Sequence, residues 1–255
     1  AAKADDGGAP TWKAFLKPMK AGGSYTITAT GSAGSATLEH VTMGDIYFCS
    51  GQSNMALSTH YTFSADTARA AFAGGQYKGL RLFQFGGMSM NTTLASYSPK
   101  YVTASQSVAT DPLHGSWYTA EQSTSVVMSN TSDFAMTAFD TFSATCLYFG
   151  LELIDALGDS APPIGLIQSA VGGSTIEAWQ ANETRAECTD RMVPHAGLGG
   201  GHGGFPFMQH QPGALYYGYV TPFVNMSIFG FLWYRCVALT HSRSWLVLIR
   251  LCLGC

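Results

Sequence analysis

Two sharp turns hold the residues whose types and spacing could do chemistry. The first is the stretch Asp45-Ile46-Tyr47-Phe48-Cys49-Ser50-Gly51-Gln52-Ser53-Asn54-Met55, an apolar strand that runs into a Gly turn with a serine at its tip. A short buried strand, a Gly turn and a following helix leave the Ser53 hydroxyl at the carboxyl edge of a sheet, close to the free amides of a helix start. That placement suits a nucleophile in acyl transfer. Gly-x-Ser alone would be better explained by a Ser-rich turn, because Ser, Gly and Asn dominate turns, but the string Gly-Gln-Ser-Asn-Met is much rarer. Met55 stands where a Gly-x-Ser-x-Gly elbow needs its second glycine, so the turn is not that of the α/β-hydrolases.

The second turn is Gly172-Gly173. It follows a strand that is buried by composition, Ile164-Gly165-Leu166-Ile167-Gln168, and precedes Ser174-Thr175-Ile176-Glu177, a capping-box pattern that predicts a helix start. Strand, Gly turn and helix again aim free amides at one spot. Taken alone, the segment is equally a plain βα connection whose glycines only permit the turn.

The elements that must position these turns are legible in outline. Residues 1–11 read as a loose terminus, followed by three short alternating strands over 12–16, 25–30 and 36–41. A helix-compatible run follows Ser53 as far as Ala73, and a strand covers 80–85. Residues 86–135 lack periodicity and read as surface connections, with Trp117 as a packing anchor. From Ser143, a plausible N-cap, the spacing of Leu147, Leu151 and Ile154 predicts a helix that ends at Gly158. A further helix is expected over 215–226 and a buried strand over 228–234.

Composition narrows the function classes. The chain has 255 residues, 46% of them hydrophobic, which is ample for one sizeable core. Thirteen Lys and Arg against 16 Asp and Glu give a formal charge of −3, which does not suggest nucleic acid or an anionic membrane as partner. No apolar run reaches the roughly 18 residues of a membrane span, and no basic-then-apolar leader opens the chain. The sequence therefore reads as starting after a removed signal or inside a longer protein. Six cysteines (Cys49, Cys146, Cys188, Cys236, Cys252, Cys255) lack metal-type pairing and do not by themselves decide the redox compartment. Sequons say more: four of the five asparagines, Asn91, Asn130, Asn182 and Asn225, begin Asn-x-Ser/Thr triplets, where chance would supply about one. They favour secretory processing.

Two histidine patterns compete for attention. The Gly-rich tract over 194–213 contains His195, His202 and His210, but the spacing matches no common zinc pattern and no Cys or carboxylate is interleaved, so it reads as a loop and no metal is expected. Asp111-Pro112-Leu113-His114 is an Asp-x-x-His, yet Asp-Pro is ordinary turn chemistry and the string is read as a coincidence.

The string Ser-Gly-Gln-Ser-Asn-Met at residues 50–55 resembles the first block of the sialate O-acetylesterase family, a carbohydrate-esterase branch of the SGNH hydrolases. Residues 163–179, Pro-Ile-Gly-Leu-Ile-Gln-Ser-Ala-Val-Gly-Gly-Ser-Thr-Ile-Glu-Ala-Trp, resemble its second block. The resemblance implies an α/β, SGNH-hydrolase-like three-layer fold with a central parallel sheet. Residues 1–44 would be the end of a preceding β-sandwich module, 45–234 the catalytic domain, and 235–255 an atypical tail. It implies Ser53 as nucleophile, with the amide of Gly172 or Gly173, Gly173 preferred, joining the Ser53 amide in an oxyanion hole. Gln52 and Asn54 would line the substrate pocket. The implied reaction removes O-acetyl groups from sialic acid or a related sugar or sialoglycan through an acetyl-serine, without metal or organic cofactor, in a secreted or lysosomal protein.

Past Tyr234 the resemblance stops. The family continues Trp-Tyr with Gln-Gly-Glu, and further on an Asp-x-x-His supplies the base; here the chain has Arg235-Cys236-Val237. His241 is the one histidine beyond Tyr234, Ala238 stands three residues before it, and no Asp or Glu follows Asp190. The tail reads as a read-through or a shifted reading frame, with a genuine divergent C-terminus as the plainer alternative. The alternative reading of the whole is a catalytically inactive carbohydrate-binding protein, or an incomplete family member without its base.

Overall fold

The computed structural model describes residues 16–32, 34–85, 117–131, 134–181, 183–184, 213–224 and 226–235. The chain divides into two compact units, Ala1–Gly44 and Asp45–Cys255. Within the first, β1 (Gly22–Gly31) and β2 (Gly34–Met43) form an antiparallel hairpin. Threonine and serine hydroxyls pair across it, Thr28 with Thr37 and Thr30 with Ser35. No described hydrophobic residue of this unit is buried. Two of the three expected strands are present; residues 12–15 of the other lie outside the described residues.

The second unit is built on a five-stranded sheet with the order β5-β4-β8-β3-β9. The strands are β3 (Asp45–Gly51), β4 (Leu80–Gln84), β5 (Trp117–Thr119), β8 (Ile164–Ala170) and β9 (Gly230–Tyr234). β4, β8, β3 and β9 run parallel, and the short edge strand β5 is antiparallel to β4. Six of the seven β8 residues are buried, as befits a strand covered on both faces. A second small hairpin, β6 (Val127–Thr131) with β7 (Phe134–Thr137), stands apart from this sheet.

Helices cover one face: α1 (Ser53–Ala56), α2 (Ala65–Ala73), α3 (Ala120–Ser123), α4 (Ala138–Thr141) and α5 (Ala144–Leu157). Their apolar sides meet Cys49, Leu80, Leu82, Ile164 and Leu166 in the main core. The opposite face is closed by a π-helical and 3-10 segment over 216–223, where Phe223 packs on Phe48, Phe85 and Ile167. The three layers of the expected α/β fold are thus in place.

Local chemistry explains where helices start and stop. α5 begins at Ser143, whose hydroxyl accepts from the Cys146 amide at 3.1 Å, and ends at Gly158 with φ of 55°. Gly150 lets α5 lie close on β8, since a Cβ there would come within 2.6 Å of the Leu166 side chain. The expected helix after Ser53 is instead broken into α1, a 3-10 turn (Thr59–Tyr61) and α2. Residues 117–135, expected as surface connections, hold β5, α3 and most of the β6-β7 hairpin. α3 and α4 each carry a capping box, Thr119 with Gln122 and Thr137 with Asp140. Trp117 does pack, against Phe83 at 5.1 Å between ring centroids, but stays 38% exposed. The helix expected over 215–226 is mostly π and 3-10 in form.

Asp140 joins three elements. Its carboxylate accepts from the Thr137 amide and hydroxyl at 2.8 Å each and pairs with the Arg69 guanidinium of α2, while Arg69 also lies over the Phe139 ring. Burial pushes this carboxyl up, but the hydrogen bonds from Arg69 and Thr137 outweigh it and hold it below its ordinary value. A folded-state pKa below the unfolded one gives stability that is full above the unfolded value, about 4, and is lost as pH falls through the folded value. Asp140→Asn is therefore expected to cost roughly 2–3 kcal/mol at neutral pH. Denaturant titrations should show the gap to wild type closing as pH drops below about 4; a gap constant down to acid pH would contradict the assignment.

The Cys49–Cys146 disulfide ties the centre of β3 to the first turn of α5, across 97 residues of sequence. Its reduction is expected to lower unfolding free energy by about 2–5 kcal/mol, read as a shift of the denaturant midpoint. An unmoved midpoint would show that the bridge adds nothing.

Candidate active site

The two Gly turns leave the sheet side by side. β3 and β8 are neighbours in parallel register from Asp45↔Ile164 to Gly51↔Ala170, so both end at the same edge. The Val171 amide donates to the Gly51 carbonyl at 3.0 Å, which carries the pairing into the turns. Gly51 itself, at φ of 139°, turns the chain where β9 presses close, and a Cβ there would collide with the Tyr234 carbonyl. The Gln52 amide donates to that carbonyl at 3.2 Å.

Ser53 is the first residue of α1 and is exposed. α1 is a single turn, closed by bonds from the Met55 and Ala56 amides to the Gln52 carbonyl, both 2.9 Å. Its exit is tied to the start of α5. The Ala144 amide donates to the Leu57 carbonyl at 2.8 Å, the Thr145 hydroxyl to the Asn54 carbonyl at 3.0 Å, and the buried Met55 sulfur meets the Ser143 hydroxyl. Gln168 of β8 accepts from the Ser143 amide at 2.6 Å, binding the second block to the same point. Gln52 is buried and Asn54 half-buried.

Gly172 sits against Ser53: a Cβ on Gly172 would lie 3.8 Å from both Ser53 Cα and Cβ. Gly173 has φ of 70°, the left-handed conformation that glycine adopts without strain. The structure thus brings together Ser53, its flanks Gln52 and Asn54, and the Gly172-Gly173 turn. The expected capping box after this turn does not form. Ser174 instead accepts from the Trp179 indole N–H at 2.9 Å, and the helix shrinks to a 3-10 turn, Glu177–Trp179, with no side-chain cap. Sequence reasoning named Ser174 only as a cap and Arg235 only as a departure, yet Arg235 Nη2 donates to the Ser174 carbonyl at 3.2 Å. Nearby, Ser169 of β8 donates to the Tyr219 carbonyl, and burial pushes the Tyr219 hydroxyl up to about 12, so it stays neutral at physiological pH.

Several sequence candidates fall outside the described residues: Asp111 and His114, His195, His202, His210 and His241, and the sequons at Asn91, Asn182 and Asn225. Asn130 belongs to β6. Among the described residues, no group of three or more His, Cys, Asp or Glu could hold a metal ion, and no helix is long and apolar enough to cross a membrane.

Gly51→Ala is expected to destabilise by roughly 2 kcal/mol or more, because it adds both a positive-φ penalty and a backbone collision. Thermal melts check this; a variant as stable as wild type would show that the Gly51–Tyr234 approach is not tight.

No family model matches the chain. Among curated proteins it is similar to the sialate O-acetylesterases of Mus musculus (29% identity over 70% of this chain), Pongo abelii (28% over 88%) and Homo sapiens (25% over 88%). The chain spans 29% of the length of the first of these and 38% of the other two. Among solved structures it is similar to a carbohydrate acetylesterase from Xanthomonas citri, with a TM-score of 0.59 and 23% identity over 88% of this chain and 40% of that one, a likeness of fold. The chain is thus similar in sequence to the sialate O-acetylesterases and similar in fold to a carbohydrate acetylesterase.

Proposed function

We propose that this chain carries the nucleophile and oxyanion site of a carbohydrate esterase that removes O-acetyl groups from sialic acid or a related sugar. The observation that carries the reading is the seat of Gly172 against Ser53 at the carboxyl ends of two adjacent parallel strands. The relatives, a sialate O-acetylesterase and a carbohydrate acetylesterase, support the substrate class.

In the proposed reaction the Ser53 oxygen attacks the acetyl carbonyl while its proton passes to a general base. The carbonyl oxygen takes up the electron pair, and its negative charge is received by the amides of Ser53 and of Gly173 or Gly172. Collapse breaks the bond to the sugar oxygen, which takes the proton back from the base. Water then hydrolyses acetyl-Ser53 to acetate by the same sequence. Gln52 and Asn54 line the sugar side, and the reading needs no metal or organic cofactor. In the same reading the hairpin of β1 and β2 closes a β-sandwich module, the catalytic domain begins at Asp45, and 235–255 is a tail. The sequons at Asn91, Asn130, Asn182 and Asn225 favour a protein of the secretory pathway, secreted or lysosomal. The Cys49–Cys146 bridge supports this, since disulfides persist in oxidising compartments.

A second reading, a module that binds the acetylated sugar without turning it over, is favoured by one observation: Tyr234 is followed by Arg235-Cys236-Val237, where the family pattern has Gln-Gly-Glu. A serine without a base is a poor nucleophile, although an oxyanion hole alone leaves catalysis of roughly a thousandfold over water. Labelling with an active-site organophosphonate identifies the nucleophile. Ser53 is expected to be the labelled residue, and labelling that persists in Ser53→Ala would sink the assignment. The 255-residue chain is expected to show negligible acetyl-ester hydrolysis. Robust Ser53-dependent turnover would instead show that another residue supplies the base, with His114 the first to mutate.

A further inference from the structure

Ser174, the residue after the Gly172-Gly173 turn, is held at its hydroxyl and at its carbonyl. Its hydroxyl accepts from Trp179 Nε1 at 2.9 Å and its carbonyl from Arg235 Nη2 at 3.2 Å, and the residue is only 3% exposed. Trp179 is fixed in turn by an edge-on contact with Trp233 of β9, 5.4 Å between centroids. Arg235 directly follows β9 and Ser174 follows β8, with β3 running between them. The Arg235 side chain therefore reaches from one neighbour of β3 to the other, at the edge where β3 delivers Gln52 and Ser53.

We propose that Arg235 is a positioning residue, which through Ser174 holds the Gly172-Gly173 turn in place beside Ser53. This rests on the reading of Ser53 and that turn as one acyl-transfer site. Two successive glycines have no side chains to pack and the widest backbone freedom of any residue, so the direction of their amides is set by what anchors the next residue. A guanidinium donating to a carbonyl is a charge-assisted bond, stronger than a neutral one. Oxyanion donors act only when preorganised, and a displacement of about 1 Å can cost on the order of a hundredfold in rate.

The test compares wild type, Arg235→Ala and Arg235→Lys in the full chain by two readouts. Hydrogen exchange should quicken in Arg235→Ala over residues 171–176 while α5 exchanges as in wild type, and Arg235→Lys should restore part of the protection. Phosphonylation of Ser53 should fall in its maximal rate by roughly ten- to a hundredfold in Arg235→Ala, with the inhibitor's half-saturating concentration little changed. A loss of fold alone would instead quicken exchange throughout. Unchanged exchange over 171–176 overturns the inference, and so does a loosened turn with Ser53 labelled at the wild-type rate. Label that does not map to Ser53 in wild type defeats the esterase reading, and the exchange data still decide whether Arg235 anchors the turn.

Discussion

The parallel pairing of β3 with β8, continued one step further by the Val171 amide on the Gly51 carbonyl, is the interaction on which the site depends. In a parallel pair both chains leave by the same edge, so two Gly turns that are more than a hundred residues apart in sequence emerge as neighbours. A register slip of one residue would exchange the side chains that face the two cores. The alternation of β8 resists it: Ile164 and Leu166 belong to the core under the helices, and Ile167 to the core on the opposite face.

Everything that fixes Ser53 adds to that pairing from the helical side. The start of α5 receives the disulfide from Cys49, the Leu57 and Asn54 carbonyls, the Met55 side chain and the Gln168 amide oxygen. α1 is one turn long and could not persist alone, because an isolated helical turn fixes several dihedrals for very few hydrogen bonds. Its conformation is imposed by α5, and α5 is itself a well-specified helix, with a serine N-cap, a buried stripe and a glycine stop. On the other flank β9 closes over Gly51. Expected as a buried strand, β9 packs Leu232 on the main core but leaves Phe231, Trp233 and Tyr234 substantially exposed at the edge of the described sheet.

Where sequence signals were local, they were legible. The apolar strand before Ser53, the Gly172-Gly173 turn, the Ser143 cap with its Leu147 and Leu151 face, and the strand ending at Tyr234 each announce themselves within a few residues. α3 and α4 were missed because four residues are too few for any periodicity, although Thr119 with Gln122 and Thr137 with Asp140 were readable as capping boxes. Ser174 misled for a different reason: its Ser-x-x-Glu pattern is a valid helix signal, but a buried indole N–H from Trp179 needs an acceptor, and that demand won the hydroxyl. The Cys49–Cys146 pairing and the reach of Arg235 to Ser174 are tertiary facts with no local signature, since spacing alone leaves many cysteine connectivities open.

The central claim is that Ser53 and the Gly172-Gly173 turn form a single acyl-transfer site. A crystal structure of the protein carrying an organophosphonate on Ser53 tests it most directly, because the phosphonyl oxygen occupies the place of the oxyanion. The account predicts that oxygen within about 3 Å of the Ser53 amide and of one amide in the Gly172-Gly173 turn. A phosphonyl oxygen turned to solvent, with neither glycine amide in reach, would contradict it.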